Sequence, residues 1–72
     1  MSGYDVIAAD CAGEFASRVV PDFPAALAEY RTLRAKYPRR TVSVLVFNLE
    51  RCDYNTDGLT EDERDEIEAV QP

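Results

Sequence analysis

The stretch Thr41–Glu50, TVSVLVFNLE, most constrains what this chain can fold into. Its β-branched residues favour a strand. Successive side chains of a strand point to opposite faces, and here both sets are apolar, so both faces need cover. The stretch therefore predicts a central strand, or one whose second face is covered in an oligomer. A chain of 72 residues buries only about 60% of its unfolded surface, so few other elements are available to do the covering.

Those elements can be read in order. Tyr4–Asp10 is a short apolar run, and Glu14–Val20 alternates, which predicts Phe15 and Val19 on one face with Glu14 and Arg18 on the other. The link CAG contains Gly13, which can take a positive φ, so the two runs read as a β-hairpin. Pro21 ends the second run because it cannot donate to a ladder. Asp22 is a good N-cap and Pro24 suits a first helical turn. Phe23, Ala26, Leu27, Tyr30, Leu33 or Arg34, and Tyr37 recur at helical spacing, and the stripe Phe23–Tyr30–Tyr37 is expected to pack on the sheet. Lys36 suits the last turn, and Pro38 stops the helix. Beyond the central strand comes the turn NTDG. Thr60 and Glu63 then form a capping box that starts a second helix near Glu61. Leu59, Glu63, Ile67 and Val70 give that helix only a thin apolar stripe, so weak docking, or docking on something else, is expected.

The order β-β-α-β-α predicts an α+β domain over residues 1–72. It would have a three-stranded, mainly antiparallel sheet, one long helix across it and a short acidic C-terminal helix. At 46% hydrophobic and 31% charged residues, the composition is that of a globular chain. The start MSGYDVIAAD has no basic n-region and no long apolar run, so no signal peptide is expected. The longest apolar run, Val44–Phe47, is far short of a membrane span. A cytoplasmic protein is expected, with Cys11 and Cys52 as free, mostly buried thiols.

Charge is segregated along the chain. Residues 50–72 carry nine acids and two bases, a net −7, while residues 1–49 carry a net +1. Catalysis is not expected. The chain has no histidine, so the usual general base near neutral pH is absent. Neither cysteine has an activating imidazole, and Gly3, Gly13 and Gly58 form no phosphate loop. What remains is the acidic segment. Glu61, Asp62, Glu63, Asp65, Glu66 and Glu68 with Arg64 put a net −5 on eight residues, one charge per about 2.4 Å of helix. Duplex DNA carries one per about 1.7 Å. Like charges four apart, as in Glu61–Asp65 and Asp62–Glu66, weaken the helix and would be relieved by a basic partner. The plainer alternative is a solvated acidic face that aids solubility. Arg31, Arg34, Lys36, Arg39 and Arg40 form a basic cluster at the end of the long helix. It reads as a helix C-terminal charge pattern, a nucleic-acid contact opposed by the net charge of −6, or a surface for another copy's acidic helix.

Two resemblances bear on these residues. Asp53-Tyr54-Asn55-Thr56-Asp57-Gly58 resembles the first half of an EF-hand loop, which implies calcium held by oxygens of Asp53, Asn55 and Asp57. The position of the bidentate glutamate is Arg64, and a loop one residue shorter would bring in Glu63. The competing reading of these residues is an Asx-type turn from a strand into a capped helix. In size, charge and the segment Asp53–Glu68, the chain resembles the small inhibitor proteins of bacteriophages and mobile elements, among them the anti-CRISPR proteins, some of which are DNA mimics. This resemblance implies a non-catalytic viral inhibitor without cofactor, acting in the host cytoplasm. Its acids Glu61, Asp62, Glu63, Asp65, Glu66 and Glu68 would cover a basic surface of a nucleic-acid-binding complex. The alternatives are a calcium module and a small homodimeric structural subunit.

Overall fold

The computed structural model describes residues 3–38 and 40–70, apart from the side chain of Val70. The elements are β1 (Tyr4–Asp10), β2 (Gly13–Val20), α1 (Phe23–Lys36), β3 (Ser43–Asn48), β4 (Asp53–Tyr54) and α2 (Glu61–Val70). The strands form one antiparallel sheet in the order β2-β1-β3-β4. The α+β class is as expected, but the sheet has four strands, not three. The extra strand is two residues long and lies inside the segment read as a turn.

α1 crosses one face of this sheet. Asp22 caps it by accepting a hydrogen bond from the Ala25 N–H (2.9 Å), and Pro24 sits in its first turn. Its buried residues Ala26, Tyr30 and Leu33 meet Val6, Ala8, Val20, Val42, Val44 and Val46, the inward alternate residues of β1–β3 and of the approach to β3. At the two ends of the stripe, Phe23 lies against Tyr4 and Tyr37 lies edge-on to Phe15. Phe15 was expected to share a face with Val19. The register slips between Ala8 and Ala9, and this bulge re-aims Phe15 towards the helix side. Val19 stays on the other face and is 59% exposed.

The other face is turned away from α1. By alternation it presents Asp5, Ile7 and Ala9 of β1 and Ser43, Leu45 and Phe47 of β3. Tyr54 joins them, opposite Phe47 in the register and edge-on to its ring at 5.3 Å. The apolar residues on both sides of β3 thus serve two different surfaces, one under α1 and one turned away from it, where Leu45 is buried and Phe47 and Tyr54 are half-buried.

Cys11 and Cys52 are free and exposed, not buried as expected, because each lies in a turn. Ala9 pairs with Ser43 while Tyr4 pairs with Asn48. The two thiols therefore sit at opposite ends of the sheet, about 17 Å apart at the strand rise, far beyond the reach of a disulfide. No helix among the described residues is long and apolar enough to cross a membrane.

Candidate functional site

The acidic segment is where the chain's chemistry is concentrated, and its geometry starts at the turn before α2. Asn55 is buried. Its N–H donates to the Val46 carbonyl (2.7 Å) and its side-chain amide donates to the Asp57 carbonyl (3.3 Å). Gly58 follows with φ 75°, and a Cβ there would stand 3.0 Å from Leu27 and 3.1 Å from Phe23. This turn is therefore pressed onto α1. The Asp53 carboxylate faces Arg51 at 3.5 Å. Among the described residues no three His, Cys, Asp or Glu side chains are grouped to hold a metal ion. Asp53, Asn55 and Asp57 here build a strand end and a turn.

α2 opens with the capping box read from the sequence. The Thr60 N–H donates to Glu63 Oε1 (2.9 Å) and the Glu63 N–H donates to Thr60 Oγ1 (3.3 Å). Glu63 is only 5% exposed, and its other oxygen accepts from Arg31 of α1. Burial pushes this carboxyl up. The Thr60 N–H, the Arg31 hydrogen bond and charge, and the Thr60 hydroxyl outweigh it, so the net effect holds Glu63 below the ordinary glutamate value. The sign for stability follows from linkage. A carboxyl lowered in the folded state contributes fully above its unfolded value, about 4.3, and loses that contribution as pH falls through the folded value. The stability gap between the wild type and Glu63→Gln, measured by urea unfolding, is therefore expected to narrow from about pH 6 to about pH 3. A gap that is constant across that window would contradict this assignment.

One turn further on, Glu66 does something the sequence reading did not include. β4 covers the outer edge of β3 only at Phe47 and Asn48. Upstream, the Val42 carbonyl and the Val44 N–H point the same way, outward, with no strand to meet them. Arg34 and Glu66 meet them instead. Arg34 Nη2 donates to the Val42 carbonyl, and the Val44 N–H donates to Glu66 Oε1 at 3.2 Å. Arg34 Nη1 bridges both Glu66 oxygens at 2.9 and 2.8 Å. The pair supplies one donor and one acceptor, which is what a neighbouring strand would supply at that place. It blocks an otherwise open sheet edge. Both side chains are largely buried, at 8% and 14% exposure.

Of the six acids expected to face a partner, Glu63 and Glu66 are thus turned inward. The basic partner that relieves the charge of α2 is α1 of the same chain. Two members of the expected basic cluster, Arg31 and Arg34, are engaged in this way, and Arg39 lies outside the described residues. The matching intervals, Arg31 to Arg34 and Glu63 to Glu66, are the sequence signal for the pairing. With Ile67 fully buried, these contacts dock α2 firmly, against the expected weak docking. Glu61, Asp62, Asp65 and Glu68 remain exposed on the outward side, together with Arg64. Among the described residues none of these four carboxylates has a hydrogen bond or ion pair.

Compared with protein-family models, curated proteins and solved structures, the chain shows no match.

Proposed function

We propose that the protein is a non-catalytic inhibitor that binds a basic surface of a nucleic-acid-binding protein or complex. The observation that carries this reading is the division of labour on α2. Two acids are consumed in anchoring the helix, and four are left unpaired along its outer side. Those four with Arg64 give a net −3 over the eight residues from 61 to 68, one charge per about 4 Å. A single strand of duplex DNA carries one per about 3.4 Å. Anchored by α1, the ridge presents this charge with little conformational freedom left to lose on binding. It fits a groove that otherwise tracks one phosphate strand, and the phage-inhibitor role implied by size and charge is consistent with that fit.

The test is a capture experiment with the full chain against an extract of a bacterial host. The wild type is expected to retain a nucleic-acid-binding protein, released by duplex DNA and by raised salt. A variant with Glu61, Asp62, Asp65 and Glu68 changed to Lys is expected to retain none of it while staying folded by circular dichroism. Glu63 and Glu66 are left unchanged because altering them would disturb the fold. Undiminished capture by the variant, or capture indifferent to DNA, refutes the reading.

A further inference from the structure

We propose that the open face of the sheet is the interface of a twofold-symmetric dimer of this chain, in which Asp5 of each copy meets Arg40 of the other. An antiparallel sheet with a wet face normally alternates apolar-in with polar-out. Here the face away from α1 instead carries half-buried Ile7, Phe47 and Tyr54 around buried Leu45, with exposed Val19 at its margin. Such a face is incomplete as a surface, and its own layout says what completes it.

The two ends of the face are complementary. At one end lies a cavity of about 430 Å³ with an apolar floor of Ala9, Leu45 and Tyr54, bounded by Ser43 and Arg40. Arg40 is exposed and makes no ion pair among the described residues. Asp10 also lines this cavity, but its carboxylate accepts the Ala12 N–H at 2.8 Å, so it is tied to its own turn. At the other end stand Phe47 and Asp5. The Ser17 hydroxyl donates to Asp5 Oδ1 at 2.6 Å and fixes the carboxylate at the surface.

Ile7 and Leu45 lie opposite each other in the register, midway between these ends. A twofold axis in the plane of the interface, crossing the strands at this row, exchanges the ends. Asp5 is two residues from Ile7 on one side and Ala9 two residues on the other. Phe47 and Ser43 stand in the same relation to Leu45. The operation therefore places Asp5 over Ala9 and Phe47 over Ser43 of the second copy. Each copy's aromatic ring enters the other's cavity, and each carboxylate reaches the other's Arg40. A surface that carries both a feature and its complement, symmetric about its middle, is what an isologous contact requires. Stacked sheets about 10 Å apart, with α1 of each copy outside, make an ordinary layered arrangement.

Area sets the strength. The whole molecule measures 30 × 21 × 20 Å, so the face offers at most about 600 Å² per copy and the total is at most about 1,200 Å², the range of weak interfaces. A reversible dimer is expected, with dissociation in the micromolar range.

Sedimentation velocity on a dilution series of the full chain tests this. The wild type is expected to shift from dimer to monomer on dilution. Arg40→Glu and Asp5→Arg are each expected to weaken association about tenfold or more, and the double variant Arg40→Glu/Asp5→Arg to recover most of the loss by restoring the pair in reversed polarity. Since Arg40 is exposed, Arg40→Glu leaves the fold intact and is decisive by itself. A monomer at every concentration overturns the proposal, whether the face stays bare or serves a different protein. A dimer indifferent to Arg40→Glu also overturns it, because another surface would then hold the copies together.

Discussion

Arg34→Ala is expected to destabilise the protein by about 3–5 kcal/mol, the range for removing one partner of a buried ion pair. The whole fold of a chain this size is worth roughly 4–11 kcal/mol, so much of it is at stake in one side chain. The loss has two sources. Glu66, a largely buried carboxylate, loses the guanidinium that bridges both its oxygens, and the Val42 carbonyl is left without a donor at the edge of β3. Arg34→Lys is not expected to rescue it. An ammonium cannot reach a carboxylate and a backbone carbonyl in the fixed fork that guanidinium provides. The pair Arg34→Met/Glu66→Leu is expected to lose less than Arg34→Ala, because it removes both charges together. It still leaves the Val42 carbonyl and Val44 N–H unmatched, at about 1–3 kcal/mol each if they stay dry. Urea unfolding of the three variants checks the order. An Arg34→Ala protein within about 1 kcal/mol of wild type would mean that water, not Arg34, satisfies this edge.

The same site shows where sequence reading succeeds and where it fails. α1 was legible from end to end because its signals are local. Asp22 and Pro24 mark the start, Pro38 the stop, and the stripe Phe23–Tyr30–Tyr37 the inward side. The start of α2 was legible for the same reason, through Thr60 and Glu63. The two-sided apolar character of β3 announced a central strand, and β3 lies between β1 and β4. What failed was non-local. The pairing of Arg31 with Glu63 and of Arg34 with Glu66 joins segments 32 residues apart, and its signal, the matching three-residue intervals, shows only when the two helices are compared with each other. Read alone, α2 was a crowd of six equivalent acids, whereas the fold separates anchors from a free ridge. Phe15 was assigned to the wrong face because a single bulge shifts the alternation on which that assignment rested. β4 escaped because two residues carry no period at all, and DYNTDG has the composition of a turn whether or not a strand begins in it. The thiols were placed inside on the average habit of cysteine, which carries no information about turns.

Ile67→Ala is expected to melt α2 while leaving the rest of the fold in place. Ten residues are too few for an isolated helix to be stable in water, and the like-charge pairs Glu61–Asp65 and Asp62–Glu66 weaken this one further. Its helicity must therefore come from docking. Besides the two ion pairs, the docking rests on Ile67, the one fully buried apolar side chain among the described residues of α2. Truncation to Ala removes about 2–5 kcal/mol. The core under α1 does not contain Ile67, so the loss falls on a local opening and not on global unfolding. Hydrogen exchange reads this directly. Amides within 61–70 are expected to exchange about 30-fold faster or more, which corresponds to about 2 kcal/mol. The Val44 amide should accelerate with them, because its acceptor Glu66 leaves with the helix. Amides shared between β1 and β2 should change little. Equal acceleration everywhere would mean that α2 unfolds only with the whole protein. If the opening is local, the acidic ridge is a rigid object only while Ile67 and the two ion pairs hold it down. A variant that keeps all four outward acids yet binds weakly would show that their spacing on a fixed helix matters, and not charge alone.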